Sequence, residues 1–351
     1  MMVIRELADS ERHLWDAYVR GAEGGLPQHL SGWREVLAAA YGFDAHYLMA
    51  LTDEAETPVV RGVLPLYLNP SVLLGRSLTT VPGGLCAEDD EAAEALIAHG
   101  VELARRLHAK RFVLHDTRQA WPGPLHTECA HEAWIVDVQA GEEAVWQALD
   151  RNIRRQVRMA RRNGLVVEID RSGSRLGDLY AVLSRFAHAA GTPVFGRDFL
   201  ECVVEQFPRE HNVALVYSDG NPIAGYFQLE MGDACYGVWG AALHEYLELR
   251  PVYLAYWELL ADTTARGFKR LDMGRAPRDS NASKYKGQWN GQPVPVYQQM
   301  ALLRGGQETG SVAARAQSDS KFQLVRRIWP QLPYPVAQFL GPKLRRHVPF
   351  A

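Results

Sequence analysis

Residues 272–289 bring together charged and aromatic side chains on which binding or catalysis could depend. The stretch reads DMGRAPRDSNASKYKGQW and follows a predicted strand. Loops beyond strand ends commonly carry function, because a rigid sheet positions them. The candidate site residues here are Asp272, Arg275, Lys284, Tyr285, Lys286 and Trp289. Cations beside aromatic rings predict a cationic, aromatic pocket.

A second candidate surface lies in residues 142–164, which read EEAVWQALDRNIRRQVRMARRNG. The spacing predicts one helix that ends at an Asn-Gly pair. Its apolar stripe contains Trp146, Leu149, Ile153, Val157 and Ala160, and its opposite face carries Arg151, Arg155, Arg158 and Arg162. No acidic residue lies between Asp150 and Glu168, so the arginines repel one another. The face therefore indicates an anionic ligand, phosphate in particular; a solvated face or ion pairs with acids of the other sequence repeat is the alternative.

Both segments belong to a chain that repeats one plan. Residues 46–68 and 213–230 each read as strand, turn and strand, and a helix followed by a strand comes after each. Aligning Gly62 with Gly225, and Phe112 with Leu271, gives nearly equal offsets. We interpret this as two copies of one α/β unit, against the alternative that two unrelated α/β domains look alike. The second copy has lysines where the first has histidines and prolines, so it is the better candidate for catalysis.

The predicted fold class is α/β (α+β), with mixed central sheets flanked by helices, because antiparallel and helix-linked strands alternate. A chain of 351 residues fits two domains. The predicted organisation is a first domain over 1–140, a basic connecting helix over 141–164, a second domain over 165–304 and a C-terminal extension over 305–351. The second domain carries the predicted active site.

Composition and motifs exclude several classes. With 47% hydrophobic and 23% charged residues the chain is globular, and a net charge of −3 argues against DNA as a partner. No run of about 18–20 apolar residues and no signal sequence is present, so the expected location is the cytoplasm. The four cysteines form no CxxC pair, and His126, Glu128, Cys129 and His131 lack a fourth zinc ligand. No metal is expected, and His188 and Thr192 are expected to cap a helix.

The C-terminal extension is basic and rich in proline. From residue 304 onward it contains eight Lys and Arg residues against two acidic ones. Its prolines predict short helical pieces joined by extended turns. One alternative is that its apolar residues pack back on the domains. The other is peripheral docking at the inner membrane, where basic and aromatic side chains favour anionic lipid.

Several of these segments, in order, resemble one known family. They are residues 146–169, AGTPVF at 190–195, LDMGRA at 271–276, SKYKGQWNGQPVPVY at 283–297 and the ending LPYPVAQFLGPKLRR, together with the early SGWREVLAAAYG and GVLPLYL. The chain resembles the FemAB-like proteins associated with exosortase and PEP-CTERM systems. The resemblance implies two tandem GNAT-like (acyl-CoA N-acyltransferase fold) domains. It also implies transfer of an amino acid from aminoacyl-tRNA onto an amine of a lipid-linked or nucleotide-linked, phosphate-bearing acceptor in the cell envelope.

The resemblance also implies roles for individual residues. The family pattern FK-x-x-(W/F)-G falls on Tyr285, Lys286 and Trp289, although Asn290 precedes the glycine, and FDFGRS becomes LDMGRA without its serine. Lys286 would then be the cation nearest the developing charge or the tRNA 3′ phosphates. Arg155 and Arg158 would hold acceptor phosphates, with Arg151 on the same face. Tyr226 or Trp239 would wall the pocket, and Asp272 would be either a general base or a residue that orients a loop.

The identity of the acyl donor depends on a glycine-containing turn that this sequence lacks. GNAT enzymes hold the pyrophosphate of coenzyme A with backbone N–H groups of a glycine-containing turn at a helix N-terminus. At the equivalent place this chain reads ELRPVYLAY, where Pro251 lacks an N–H and no glycine is present. This favours aminoacyl-tRNA over acyl-CoA, and no cofactor is expected. The alternatives are an acyl-CoA or acyl-carrier-protein N-acyltransferase, and a non-catalytic adaptor in export or exopolysaccharide assembly.

Overall fold

The structure is a computed structural model in which residues 2–52, 59–71, 75–303 and 320–347 are described. The chain forms two compact units. Unit 1 contains residues 1–130, 295–322 and 343–351, and unit 2 contains residues 131–294 and 323–342. Each unit is a mixed sheet flanked by helices, as the sequence predicted.

Thirteen strands are present in the described part of the chain. In chain order they are β1 (Met2–Glu6), β2 (Asp44–Thr52), β3 (Val59–Asn69), β4 (Ser77–Thr80), β5 (Cys86–Ala87), β6 (Arg111–Thr117), β7 (His126–Asp137), β8 (Val166–Asp170), β9 (His211–Ser218), β10 (Asn221–Met231), β11 (Ala234–Ala242), β12 (Arg270–Pro277) and β13 (Gln292–Leu302).

The helices of the described residues cover the sheet faces or follow the strands. They are α1 (Arg12–Gly21), α2 (Trp33–Tyr41), α3 (Asp90–Arg106), α4 (Glu142–Ala148), α5 (Arg151–Arg162), α6 (Leu176–Ala189), α7 (Arg197–Gln206), α8 (Pro251–Ala265), α9 (Asn281–Gly287), α10 (Ser320–Ile328) and α11 (Tyr334–Arg345). Among them, no helix is both long and apolar enough to cross a membrane.

The sheet of unit 1 has the strand order β1-β2-β3-β4-β6-β13, with the short β5 beside β3. All neighbours are antiparallel except β4 and β6, which run parallel. The helix α3 connects the parallel pair, and it begins where the Asp89 carboxylate accepts a hydrogen bond from the Ala92 amide at 2.9 Å. Its apolar face, with Leu96 and Ile97, forms one core with Leu64, Leu66 and Phe112 of the sheet.

Unit 2 repeats this arrangement in the order β8-β9-β10-β11-β12-β7. Here β11 and β12 are the parallel neighbours, and α8 connects them. The core between α8 and the sheet contains Leu254, Trp257 and Leu260 from the helix and Leu271 from β12. The apolar stripe of α5 completes this core.

The repeat predicted from sequence is confirmed in its strand pairing. The parallel ladder of unit 1 is Ser77–Arg111, Leu78–Phe112 and Thr79–Val113. That of unit 2 is Ala234–Arg270, Cys235–Leu271 and Tyr236–Asp272. The aligned residues Phe112 and Leu271 therefore occupy the same position in the two ladders.

In each unit, one strand of the sheet comes from a distant part of the chain. In unit 1, β6 pairs with β13, from Leu302–Arg111 to Tyr297–Thr117. In unit 2, β12 pairs with β7, from Arg270–Asp137 to Pro277–His131. The predicted second domain, residues 165–304, includes β13, whose hydrogen-bonded partner β6 belongs to unit 1. The boundaries at residues 140, 164 and 304 stay predictions.

The single helix predicted over residues 142–164 is wrong. The chain forms α4 and α5 with a break at Leu149, whose backbone is extended (ψ 145°). The break arises because the Asp150 carboxylate accepts a hydrogen bond from the Asn152 amide at 2.6 Å and starts a new helix. The predicted stripe is nevertheless buried, since Leu149, Ile153, Val157 and Ala160 all belong to the core of unit 2.

Candidate active site

The parallel strands β11 and β12 of unit 2 diverge beyond their third residue pair. Their ladder ends at Tyr236 and Asp272, yet β11 continues to Ala242 and β12 to Pro277. In open α/β sheets, ligands bind in the crevice beyond the carboxyl ends of the strands. This end of the sheet is the candidate active site, and the cationic segment 272–289 begins here.

A bulge in β12 shapes the beginning of the gap. The register against β7 shifts between Asp272 and Arg275, and the buried Asp272 carboxylate accepts a hydrogen bond from the Gly274 amide at 2.8 Å. Gly274 has a φ of +77°, and a Cβ there would lie 2.8 Å from the Gly237 carbonyl oxygen on β11. Only glycine combines this conformation with such a close approach.

Lys286 is bound to the same bulge. Its Nζ donates to the carbonyl oxygens of Met273 (2.8 Å), Gly274 (2.9 Å) and Arg275 (3.0 Å). An ammonium group has three N–H donors, and these three bonds match that number. Lys286 therefore places a half-buried positive charge at the gap while fixing the backbone around it. A direct bond to a substrate oxygen would have to replace one of the three.

The helix α9, which carries Tyr285 and Lys286, is anchored on β7. The Ser280 hydroxyl caps it by accepting from the Ser283 amide at 3.1 Å. The Ser283 hydroxyl donates to the Glu132 carboxylate and accepts from Trp134 Nε1 at 3.0 Å. A Cβ on Gly287 would lie 2.9 Å from the Trp134 ring. These contacts fix the direction in which α9 presents its side chains.

Five aromatic rings form one cluster between β10, α8 and α9. Tyr226 and Tyr256 lie 5.1 Å apart between ring centroids, Tyr253 and Tyr285 5.2 Å, and Tyr256 and Trp289 5.6 Å. A Cβ on Gly240 would lie 2.3 Å from the Tyr226 ring, so the ring covers this glycine. The predicted residues Tyr226, Tyr285 and Trp289 therefore lie together.

Burial keeps the hydroxyl groups of Tyr226 and Tyr285 protonated. Burial raises the pKa of Tyr226 and of Tyr285 well above the ordinary value of 10.0. At Tyr285 a hydrogen bond that its hydroxyl oxygen accepts from the Trp289 indole N–H opposes part of this rise. The indole N–H is used in this contact, and the hydroxyl proton of Tyr285 is the group that can donate to a bound molecule. A protonated phenol can donate to an oxygen on which negative charge develops.

Trp239 does not join this cluster. Its ring packs on Phe195 (5.5 Å), Phe199 (5.3 Å) and Phe227 (5.3 Å). Trp239 pairs with Phe227 across the hairpin, and Tyr226 pairs with Gly240. Because successive residues of a strand point to opposite faces, Tyr226 and Trp239 lie on opposite faces of the sheet. The two cannot wall one pocket.

The N-terminus of α8 differs from a glycine-rich anion cradle, as the sequence indicated. Arg250 precedes the helix in the left-handed conformation (φ 68°), and the buried Pro251 is its first residue. No side chain caps this end. The first turn therefore offers the amides of Val252 and Tyr253 but none from Pro251.

The arginine face of α5 is exposed and has few acidic partners among the described residues. Arg161 pairs with Glu258 at 2.9 Å, whereas Arg155 donates to the Asn152 amide oxygen at 2.9 Å. The Arg158 guanidinium lies 5.4 Å from the centre of the Trp146 ring. Because the opposite face is buried in the core, Arg151, Arg155 and Arg158 point to solvent and away from the aromatic cluster.

The remaining predicted residues have clear positions. Lys284 is exposed on α9, and Arg275 is half-buried on β12. Thr192 ends α6, since its hydroxyl donates to the Ala187 carbonyl at 3.3 Å, whereas the His188 ring bonds to the Leu332 carbonyl at 3.0 Å. The cysteines are free thiols, and within the described ranges no three His, Cys, Asp or Glu side chains could hold a metal ion.

Sequence reasoning missed Tyr256, Glu132 and Gly274 as parts of the site. Tyr253 and Tyr256 are spaced i, i+3 after a proline that starts a helix, which is a signal for two rings on one helix face. Gly274 lies inside LDMGRA, but its positive φ depends on the bulge. Glu132 contacts Ser283 from a strand about 150 residues earlier, and no local pattern indicates that contact.

Comparison with known proteins supports this geometry. A family model described as "Acetyltransferase (GNAT) domain" matches residues 148–287. That range contains the parallel pair, α8 and α9. No curated protein matches the chain in sequence.

Solved structures of similar fold cover most of the chain. The crystal structure of FemX has a TM-score of 0.64 at 14% identity, covering 86% of this chain and 97% of FemX. The C-terminal domain of a putative lysylphosphatidylglycerol synthetase from Agrobacterium fabrum has a TM-score of 0.56 at 15% identity, covering 89% and 96%. A tandem GNAT protein from the clavulanic acid biosynthesis pathway has a TM-score of 0.54 at 12% identity, covering 88% and 100%.

These similarities define the class of protein. The fold is that of tandem GNAT proteins, and the resemblance to FemAB-like proteins is confirmed at the level of fold by FemX. With a GNAT domain at the candidate site, the chain is an acyltransferase of this fold.

Proposed function

We propose that this protein is a FemAB-type N-acyltransferase that moves an aminoacyl group from aminoacyl-tRNA to an amine of a phosphate-bearing acceptor of the cell envelope. The observation that carries the proposal is the beginning of α8. Arg250 and Pro251 occupy the place where a GNAT enzyme offers glycine amides to the pyrophosphate of coenzyme A. The gap between β11 and β12 is retained beside it.

The reaction needs positioning more than a covalent nucleophile, because an aminoacyl ester is already activated. The amine nitrogen forms a bond to the ester carbonyl carbon, and the bond from that carbon to the ribose oxygen of tRNA breaks. The proton lost by the amine ends on the ribose oxygen. A negative charge develops on the carbonyl oxygen in between, and fixed donors stabilise it.

The bulge and the aromatic cluster supply these requirements in the proposal. Lys286 contributes a fixed positive charge next to the gap, and the Asp272 carboxylate keeps the bulge in place by binding the Gly274 amide. The Tyr285 hydroxyl, which burial keeps protonated, is a neutral donor for the carbonyl oxygen. Tyr226 and Trp289 wall the ester and exclude water, and Arg275 and Lys284 meet phosphates of the donor.

One of the structural neighbours fits an acceptor that carries phosphate. Its name, lysylphosphatidylglycerol synthetase, refers to a phospholipid that carries an aminoacyl group. The arginines 151, 155 and 158 are the residues we assign to acceptor phosphate, because Arg can donate two parallel hydrogen bonds. A lipid-linked acceptor would bring this protein, from the cytoplasm, to the inner membrane.

The direct test is transfer of labelled amino acid by the purified protein. Charged tRNA and acyl-CoA are offered separately with a phosphate-bearing amine acceptor, and mass spectrometry of envelope precursors and exopolysaccharide from cells with and without the gene identifies the product. We expect label on the acceptor only with charged tRNA. Turnover of the CoA thioester without tRNA-dependent transfer would overturn the donor assignment.

An acyl-CoA-dependent N-acyltransferase is the second candidate, because the matched family model is an acetyltransferase. The amides of Val252 and Tyr253 could then meet a single phosphate. Saturation of the protein by desulfo-CoA with a micromolar Kd would favour this candidate. A non-catalytic adaptor is favoured only if cellular function survives Lys286→Ala.

Charge reversal on α5 tests the acceptor site. Arg158→Glu should raise the acceptor KM about tenfold, because one charged hydrogen-bond donor is lost. Unfolding should change little, since the side chain faces solvent. Arg209→Glu, at another exposed position of unit 2, is the matched control. An unchanged acceptor KM, or a large drop in Tm, would mean that the arginine face of α5 does not bind the acceptor.

A further inference from the structure

The two C-terminal helices expose an unusual amount of apolar surface. Six of the ten exposed large apolar side chains in the described part of the chain lie between residues 324 and 344. On α10, Leu324 is 56% and Ile328 46% exposed; on α11, Phe339 is 65% exposed. Scattered exposed apolar residues are normal, but such a concentration in one segment marks an interaction surface.

The opposite side of this segment is firmly packed on unit 2. Trp329 is buried, and the Tyr334 hydroxyl forms a hydrogen bond with the Ser184 hydroxyl at 2.7 Å. A Cβ on Gly191 would lie 2.3 Å from the Arg326 carbonyl oxygen, so the backbones touch there. On α11, Ala337 and Gly341 are buried while Val336 and Phe339 are exposed. The apolar residues therefore face outward from an anchored element.

The charge of the segment indicates what covers it. Residues 320–347 contain six Lys and Arg residues and no Asp or Glu, although the whole chain has a net charge of −3. Arg326 and Arg327 are exposed on the same helix as Leu324 and Ile328. A second copy of this chain would bring like charges together at such a surface. An anionic bilayer matches both the charge and the apolar side chains.

We propose that α10 and α11 form a docking surface for an anionic lipid bilayer, in which Leu324, Ile328, Val336 and Phe339 enter the interface and Arg326 and Arg327 meet lipid phosphates. The surface does not depend on the transfer reaction. Its binding is measured without donor or acceptor, so the failure of either proposal is distinguishable from that of the other.

The test is co-sedimentation of the full chain with vesicles. We expect binding to phosphatidylglycerol–phosphatidylcholine vesicles that weakens at high salt, and little binding to phosphatidylcholine alone. Leu324→Ser combined with Ile328→Ser should lower the apparent affinity about tenfold or more, because two apolar side chains no longer enter the interface. Arg326→Glu should lower it about fivefold or more.

Matched controls separate this surface from general stickiness. Val166→Ser removes an equally exposed apolar side chain from β8, and Arg209→Glu removes an exposed charge from unit 2. Both should bind like wild type. The proposal fails if the intact chain stays in the supernatant with anionic vesicles at low salt, or if the controls lose as much affinity as the variants. It also fails if ultracentrifugation shows a dimer that Leu324→Ser disrupts while vesicle binding is absent.

Discussion

The two units share a strand order but differ at the end of their parallel ladders. In unit 1 the chain after β4 folds back on β6, where the Gly83 amide donates to the His115 carbonyl at 2.9 Å and the His115 amide to the Thr80 hydroxyl at 2.8 Å. A Cβ on Gly84 would lie 2.0 Å from the Thr117 side chain. The backbone of unit 1 therefore fills the space beyond its ladder.

In unit 2 the corresponding space is bordered by side chains with chemistry. β11 continues as a strand beyond Tyr236, and a bulge held by Lys286 forms the other side. The aromatic cluster around Tyr285 lies next to it. One fold thus supports two outcomes, because the residues after the ladder decide whether the gap closes on backbone or opens to a ligand.

The largest expected effect is at Lys286, which has no counterpart in unit 1. Lys286→Met should lower kcat/KM for transfer by ~10²-fold or more, because a fixed charge leaves a water-poor site and three carbonyl groups lose their donor. Steady-state transfer from charged tRNA measures it. Lys269→Met, at an exposed position of unit 2 outside the proposed site, should stay within twofold of wild type. A Lys286→Met protein as active as wild type contradicts the assignment.

Mild acid should lower the stability of unit 1 more than that of unit 2. His29 in unit 1 is 1% exposed, and its Nδ1 accepts a hydrogen bond from the Leu26 amide at 3.1 Å. Burial lowers the pKa of His29 from 6.5 to about 4. Between pH 4 and 6.5, His29 therefore binds a proton in the unfolded chain but not in the folded unit. Stability is full above pH 6.5, and about 3 kcal/mol is lost as the pH falls to 4.

Unit 2 should keep its stability over most of that range. Burial alone would raise the pKa of Glu230, but hydrogen bonds from Arg266 and Asn212 hold it below its ordinary value of 4.5. The stability from Glu230 is present above that value and is lost only as the pH falls through the lower pKa of the folded state. Hydrogen exchange of peptides from β2–β3 and β9–β10 across this range measures the difference. A His29→Gln variant with the same pH dependence as wild type would contradict it.

The sequence predicts those parts of the fold that depend on local pattern. The hairpins, the helix–strand pairs and the cationic segment follow from periodic apolar residues and from turn residues. The strands β7 and β13 pair with partners that local periodicity cannot identify. The face of Trp239 also depends on hairpin register, since a shift of one residue reverses every side chain. The sequence therefore predicts which residue types the site contains, and the structure shows which of these residues are in contact.

Gly274 should matter more than a glycine of equal conformation elsewhere. Gly274→Ala introduces a Cβ 2.8 Å from the Gly237 carbonyl at a φ of +77°, whereas Gly267→Ala has a φ of +79° and nothing within 4 Å. Both should lose about 1–2 kcal/mol of stability, but only Gly274→Ala displaces the bulge and lowers kcat/KM about tenfold. Thermal unfolding and transfer kinetics of both variants test this. Equal activity of the two would mean that the approach of the strands does not shape the site.

The smallest effect is expected where unit 1 closes its own gap. Thr80→Val keeps the shape of a fully buried side chain but removes the oxygen that accepts from the His115 amide. Leaving that buried donor unsatisfied should lower the free energy of unfolding by about 1–2 kcal/mol. Transfer activity should stay within twofold, because the closed gap supports the fold and takes no part in the reaction. Urea unfolding and kcat/KM of the same preparation provide both values. A folded Thr80→Val protein that loses tenfold in transfer would place part of the active site in unit 1, and the contrast between a closed and an open copy would no longer explain which unit is catalytic.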